Sequence, residues 1–503
     1  MRTKKAIINS SVNIIAFIVA FIPNLIIRKI FLNSLGSEML GLNSLYTNLI
    51  GWLSIIELGV GSAIIFSLYK PYADNNLDQV RAYLRFYRKF YRIIGTIILT
   101  LGILIIPFLS FFIENGVNMK IASLGFILFL INTFISYMLS DRLCILNVAQ
   151  EAYKITIGTT VSKLIIIIIQ AITLKIYPSF LLFIVVQVCI NLIYYIFMNI
   201  YIVKTHPWIN SGKEELDNEV KRNLLGNIRA MFMHKIGGLI VYNTDNIVIS
   251  KFIGLGALAN FSNYQVIISA FQTVVSTALK GITASIGNLL STENKGKAYI
   301  VHKRIFFLNF WVISFIIITL YNTLNQFIAL WVGQKYLIDK GTFIIVLINA
   351  YFSSMRGSVE QFQNGSGNFR RDRYAPLFEG VINLVSSIIL VKYIGLKGVF
   401  IGTLISNITV IFWTKPYVIY KYVFDRSVRD YFIMYFKYLF IGLVPLILTN
   451  YITYSIQTIY TFTNFIINCV VNILVINIFY IFIFMKNDNF KYYVNLIKKL
   501  IQK

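Results

Sequence analysis

The chain is 503 residues long, 57 % of them hydrophobic and only 13 % charged, with a formal net charge of +26. A soluble domain carries about a quarter charged residues, which this composition excludes. Apolar runs of about 20 residues, each able to cross a ~30 Å hydrocarbon core, recur from end to end. A β-barrel would need ~10-residue alternating strands instead. The fold class is all-α, a polytopic membrane protein of about 14 transmembrane helices.

In chain order, the first predicted segment spans 6–30, with Asn9, Asn13 and Asn24 as its polar residues. It lacks a small-residue cleavage site and reads as a retained helix, not a signal peptide. The second, 39–68, holds Glu57 in IIELGVGSAI. A basic and aromatic loop, KPYADNNLDQVRAYLRFYRKFYR, suits an amphipathic stretch on the inner leaflet. Segments at 93–113, 121–148, 155–176 and 180–203 complete a first six-helix lobe, 1–203. The linker 204–222, KTHPWINSGKEELDNEVKR, is the longest hydrophilic interruption, and Pro207, Gly212 and its mixed charge keep it out of the membrane. A second six-helix lobe, 223–423, contains segments at 224–253, 258–290, 305–332, 342–363, 375–393 and 398–420. Two extra segments, 433–453 and 461–485, and a Lys-rich tail make up 424–503. An even number of spans places both termini on one side.

Cations cluster on the side of the N-terminus, as in Arg81/Arg85/Arg88/Lys89/Arg92 and Arg370/Arg371/Arg373, and are scattered on the other. The ratio is roughly three to one, which makes that side cytoplasmic. The basic balance thus encodes topology and contact with membrane lipid headgroups, and nucleic acid is not a partner. Cys144, Cys189 and Cys469 lie in apolar segments, and His206, His234 and His302 are dispersed, so neither a disulfide framework nor a metal site is expected. A weak internal repeat is visible. Asn24 with Lys29 echoes Asn246 with Lys251; Gly36, Ser44 and Tyr46 echo Gly254, Ser262 and Tyr264; Ala82-Tyr83 echoes Ala298-Tyr299. The two lobes read as parallel copies related by an axis along the membrane normal.

No HExxH, GxSxG or P-loop is present, and Gly365 and Gly367 in NGSGN lack the Lys-Ser/Thr that would follow. The informative residues are polar ones inside spans, where they are costly and face a bundle interior or a wet cavity. In the span 342–363, Asn349, Ser353, Arg356, Glu360, Gln363 and Gly367 recur at steps of four and three, on one helical face. Arg356 either offers its charge to an anionic substrate or locks packing as an i,i+4 pair with Glu360. In 155–176, Thr156, Thr160, Lys163 and Gln170 share a face; Lys163, with no acid nearby in sequence, lines a cavity or pairs across helices. In 258–290, Gln265, Ser269, Gln272, Ser276 and Lys280 align, with Lys280 near enough to the end to snorkel. In 224–253, His234 reads as a polar end residue rather than a proton relay, Arg229 and Lys235 lie near the cytoplasmic mouth, where they gather anionic substrate or meet headgroups, and Asp245 is a counter-ion, a cation-coupling site or a structural partner for a lysine. Glu57, beside Gly59 and Gly61, serves either packing or ion coupling. A cavity with these cations and amides suits a substrate carrying phosphate and many hydroxyls.

IELGVGSAIIFSLYKPYADNN and VYNTDNIVISKFIGLGALANFSNY resemble the polysaccharide-repeat flippases (Wzx-type translocases) of the multidrug/oligosaccharidyl-lipid/polysaccharide exporter superfamily. The twelve-plus-two helix plan agrees over nearly the whole chain. The resemblance implies a V-shaped, two-lobe transporter in the bacterial plasma membrane. It would move an undecaprenyl-diphosphate-linked oligosaccharide from the inner to the outer leaflet by alternating access, for capsule- or O-antigen-like polymers. No enzymatic cofactor is implied. Proton or sodium coupling would involve Asp245, Glu57 or Glu360, and the polysaccharide polymerase machinery is a partner the resemblance allows. A peptidoglycan-precursor flippase and a drug/cation antiporter of the same superfamily are the alternatives; interior cations disfavour the second. A membrane-embedded glycosyltransferase or polymerase is disfavoured, because the loop 454–460 carries no charge.

Overall fold

In hydrocarbon a backbone must satisfy its own hydrogen bonds, and a helix does so within one segment. The structure, a computed structural model, describes residues 2–57, 60–113, 117–211, 214–222, 224–226, 244–369 and 371–502. Among them it is helical, with no strand. Twelve helices among the described residues are long and apolar enough to cross a membrane. The chain is a multi-pass membrane protein made of two compact units, Met1–Ala259 and Asn260–Lys503.

In the first unit, α1 (Arg2–Leu53) is one apolar run broken by the non-helical Gly36 at φ 83°, ψ 177°. The predicted segments 6–30 and 39–68 are therefore continuous in sequence and divided at a residue without a Cβ. The second of them does not reach 68 as a single helix. It gives way to a 3₁₀ turn, Ser54–Glu57, before α2 (Val60–Ala73). The stretch expected as a surface loop is mostly the first half of α3 (Leu77–Ile105). Asn76 makes that possible by accepting from the Gln79 N–H at 3.1 Å, a side-chain cap at the helix start. Then follow α4 (Met119–Leu139), α5 (Ala152–Ile176) and α6 (Phe180–Thr205). Fully buried Tyr46 ties α1 to α4 by donating to the Ala122 carbonyl at 2.5 Å.

α7 (Leu255–Gly281), which carries the chain into the second unit, and α8 (Thr283–Thr292) replace the single predicted segment 258–290, with a joint at Ile282. Next are α9 (Lys295–Trp331), α10 (Lys340–Met355), α11 (Gly357–Ser366), α12 (Ala375–Ile394) and α13 (Leu396–Ser406). The predicted span 398–420 continues past α13 through two π turns, Asn407–Ile411 and Tyr420–Phe424, with α14 (Phe412–Ile419) between them. Pro416 in α14 has no N–H for the regular ladder. The unit ends with α15 (Val428–Gln457), α16 (Phe462–Phe484) and α17 (Asp488–Ile501).

What holds α15 and α16 to α9 is polar. Asn322 Nδ2 donates to Thr449 Oγ1 at 2.8 Å and to Asn472 Oδ1 at 2.7 Å. Asn468 Nδ2 donates to the Asn322 carbonyl at 2.7 Å and to Gln326 Oε1 at 2.9 Å. Nearer the start of α9 the same three helices share an aromatic core, including Phe306, Phe310, Tyr438, Tyr480 and Phe484. α17 docks on the start of α9, with Phe490 stacked on Trp311 at 5.8 Å and the Arg304 guanidinium 3.8 Å from the Tyr492 ring centre.

Candidate functional site

The sequence placed Thr156, Thr160, Lys163 and Gln170 on one face of α5, and the structure divides that face in two. Its second half is closed: Ile167, Gln170 and Leu174 are buried. Gln170 Nε2 donates to the Phe183 carbonyl of α6 at 2.8 Å, so it clasps two helices. The first half is open at Thr159 and Lys163, both exposed. Thr160 donates back to its own helix at the Thr156 carbonyl. Thr156 Oγ1 donates to Asn13 Oδ1 at 2.7 Å, and Asn9 Oδ1 accepts from the Tyr153 N–H at 2.8 Å, so the polar residues of α1 fix this end of α5. Lys163 has no ion-pair partner among the described residues. A lysine on the open half of a polar face in a span is placed to meet an anion.

Glu57 sits at the turn between α1 and α2, not within a helix as predicted. Tyr91 Oη donates to its carboxylate. The Tyr87 and Tyr91 rings lie 4.2 Å apart, and Tyr137 packs on Tyr91 at 5.5 Å. A Cβ at Gly61 would sit 2.8 Å from Tyr91 Oη and 3.3 Å from Tyr87 Oη, so the glycine admits the tyrosine pair beside the carboxylate. The arrangement holds one carboxylate in a tyrosine cage of the first unit.

In the second unit, the face predicted along 342–363 assumed one continuous helix. The chain is instead jointed at Arg356, between α10 and α11. Arg356 Nε still donates to Glu360 Oε1 at 2.9 Å. Lys415 of α14 donates to the same oxygen at 2.6 Å. Buried Glu379 of α12 is a further carboxyl in this part of the unit. Glu360 accepts from both cations, so the Arg356 cation is engaged by the protein itself. The other predicted members of this face bind the fold. Asn349 Nδ2 donates to the Phe400 carbonyl at 2.8 Å, and Gln363 Nε2 donates to Asp372 Oδ2 at 2.7 Å. Gln272 Nε2 reaches Ser353 Oγ and Ser354 Oγ at 3.2 Å each. Lys280 is exposed at the end of α7.

Asp245 is half-buried and engaged; its neighbour Asn246 donates to Asn48 Oδ1 at 3.0 Å. Arg229, His234 and Lys235 lie outside the described residues. Sequence reasoning missed the roles of Lys415 and Glu379. Both fall inside predicted spans, and an ionisable residue inside a span was the available signal.

Outside the spans the linker is tethered to the basic start of α3. Arg81 holds Glu214 through Nε at 3.1 Å and Nη2 at 2.6 Å, and Arg85 Nη1 donates to the Glu214 carbonyl at 3.0 Å. The Arg81 hydrogen bonds chiefly hold the Glu214 carboxyl down at about 2.

No family model matches the chain, and no curated protein matches it by sequence. Solved structures do. The chain is similar to the lipid II flippase MurJ in its inward closed conformation, with a TM-score of 0.71 and 15 % identity, over 95 % of this chain and 99 % of that one. It has the fold of a membrane transporter. An inward-facing multidrug resistance MATE family transporter of the MOP superfamily is similar at a TM-score of 0.60 and 14 % identity, over 82 % of this chain and 98 % of that one. An outward-facing MATE transporter is similar at 0.54 and 17 % identity, over 81 % and 92 %.

Proposed function

We propose that this transporter fold is a flippase of the MOP superfamily that moves an undecaprenyl-diphosphate-linked oligosaccharide across the bacterial plasma membrane, termini in the cytoplasm. The observation that carries the reading is Lys163, an exposed cation on the open half of a polar face in α5. A diphosphate needs such a cation, and hydroxyls of a glycan suit the threonines beside it. The extent of the fold likeness supports a lipid-linked cargo: similarity to the lipid II flippase covers 95 % of the chain, against 82 % for the MATE transporter. Glu57 is the preferred coupling residue, because its tyrosine cage gives a proton or sodium site a single carboxylate. Asp245 and Glu360 are secondary candidates.

The likeness to MurJ also favours a second reading, a lipid-linked peptidoglycan precursor as cargo. Replacing Lys163 or Lys280 by Ala in cells, with protein level checked by blot, separates these. Loss of surface polysaccharide with lipid-linked precursor building up inside supports the first reading. Arrest of wall synthesis with intact surface polysaccharide supports the second, and full function of both variants refutes the cationic site.

A further inference from the structure

At one end of the first unit, α3, α4, α6 and the linker enclose a cleft of about 580 Å³. Its charged lining is Arg88, Arg92, Asp141, Arg142 and Lys204. Four cations against one carboxylate leave a surplus of positive charge, and the carboxylate is already committed: Arg88 Nε donates to buried Asp141 Oδ2 at 2.6 Å. Arg142 is oriented by donating to Asn210 Oδ1 of the linker at 3.1 Å. Burial, and then the Arg88 charge, lower the Arg142 pKa, so an anion there gains from both. Arg92 and Lys204 are exposed and have no ion-pair partner among the described residues.

Apart from Asn199, which donates to the Leu139 carbonyl, and Asn210, the remaining wall is apolar, with Met138, Leu139, Ile196, Ile200 and Val203. Ile196 and Ile200 are 47 % and 64 % exposed, on the side of α6 that turns from the unit's core. The candidate span that contains α3, Leu77–Phe112, has 36 residues where about 20 cross the hydrocarbon core. Arg88 and Arg92 thus stand at the membrane–water boundary, level with Lys204 in the last turn of α6. A cationic cleft at that depth, continuous with an apolar helix face, matches one chemistry: a phosphodiester headgroup with an acyl chain beside it.

We propose that this cleft is a binding site for an anionic phospholipid, its phosphate between Arg92, Arg142 and Lys204 and its chain along Ile196 and Ile200. The site uses none of the residues assigned to cargo or coupling, so its failure leaves the transport reading untouched, and the reverse. It also gives the linker a second tether, through Asn210.

The test is native mass spectrometry of the full chain in a neutral detergent, titrated with phosphatidylglycerol or phosphatidylcholine. The parent protein is expected to retain phosphatidylglycerol over phosphatidylcholine. The double variant Arg92→Gln/Lys204→Gln, which removes two exposed and unpaired charges, is expected to lose apparent affinity about tenfold, the effect of roughly 1.4 kcal/mol. Lys491→Gln, one surface cation fewer on α17, is expected to change nothing. Soluble glycerol phosphate reports a free-anion site if it displaces the lipid at equal concentration. Undiminished retention by the double variant, an equal loss in Lys491→Gln, or displacement by glycerol phosphate would each overturn the proposal.

Discussion

At the scale of single residues, the same chemistry serves two ends, and exposure separates them. Lys163 is exposed and unpaired among the described residues, whereas Arg356 is 13 % exposed and held by Glu360. Lys163→Ala is therefore expected to change thermal stability in detergent by no more than ~0.5 kcal/mol while reducing transport. Glu360→Gln is expected to behave oppositely. It leaves Arg356 and Lys415 facing a neutral amide, and roughly 1–3 kcal/mol of stability should be lost, read as a lower unfolding midpoint. A stable but inactive Glu360→Gln would instead make this cluster an ion-coupling site. The i,i+4 spacing of Arg356 and Glu360 was legible in the sequence. Lys415 was not legible as their partner, because it arrives from a helix 55 positions on and only tertiary packing brings it there.

At the scale of helices, amides that the sequence suggested as cavity lining also hold elements together. Gln170, Asn349 and Gln363 each donate to a neighbouring element. Periodicity locates a polar face but does not tell a wet cavity from a helix–helix contact, since both want polar groups inside a span. The Asn322 ladder is the strongest fastener. Asn322→Leu removes its donations to Thr449 and Asn472 and the bond it accepts from Gln457 at 3.1 Å. With polar pairs in membranes averaging about 0.6 kcal/mol each, a loss of roughly 2 kcal/mol is expected, with α15 and α16 becoming protease-sensitive before the rest. Small residues do the opposite work between α12 and α13. A Cβ at Gly402 would lie 2.4 Å from Ser387 Oγ and 2.6 Å from Ser387 N, so Gly402→Ala is expected to cut the yield of folded protein severely, measured by size-exclusion of detergent extracts. The linker responds to pH with a definite sign. The folded Glu214 pKa, about 2, lies below its ordinary value of 4.5, so the tether is fully made above pH 4.5 and is lost as pH falls toward 2. Protease cleavage of 207–222 should rise over that window and stay flat from pH 5 to 8.

At the scale of the whole molecule, fold class and most span positions followed from hydropathy alone, because the bilayer allows a continuous apolar segment one solution. Breaks inside the predicted spans did not follow, at Ser54–Glu57, at Ile282, at Arg356 and around Pro416. Local sequence signals such as a glycine or proline permit a break without requiring one. The faint internal repeat has a physical meaning. Gly36 and Gly254 both adopt positive φ, at 83° and 109°. Tyr46 and Tyr264, ten residues beyond each, are fully buried and donate to Ala122 O and Asn325 Oδ1. One helix break followed ten residues later by one buried tyrosine anchor therefore occurs twice along the chain. The function proposed for this fold is to carry a lipid-linked oligosaccharide across a bilayer through a cation-dependent path. Purified protein in liposomes, given an undecaprenyl-diphosphate oligosaccharide on one leaflet, tests it by the glycan's exposure to an added glycosidase. Protein-dependent crossing is expected, and it should fall at least tenfold in Lys163→Ala with the protein still folded. Crossing at the parent rate in Lys163→Ala, or no crossing by the parent itself, would contradict it.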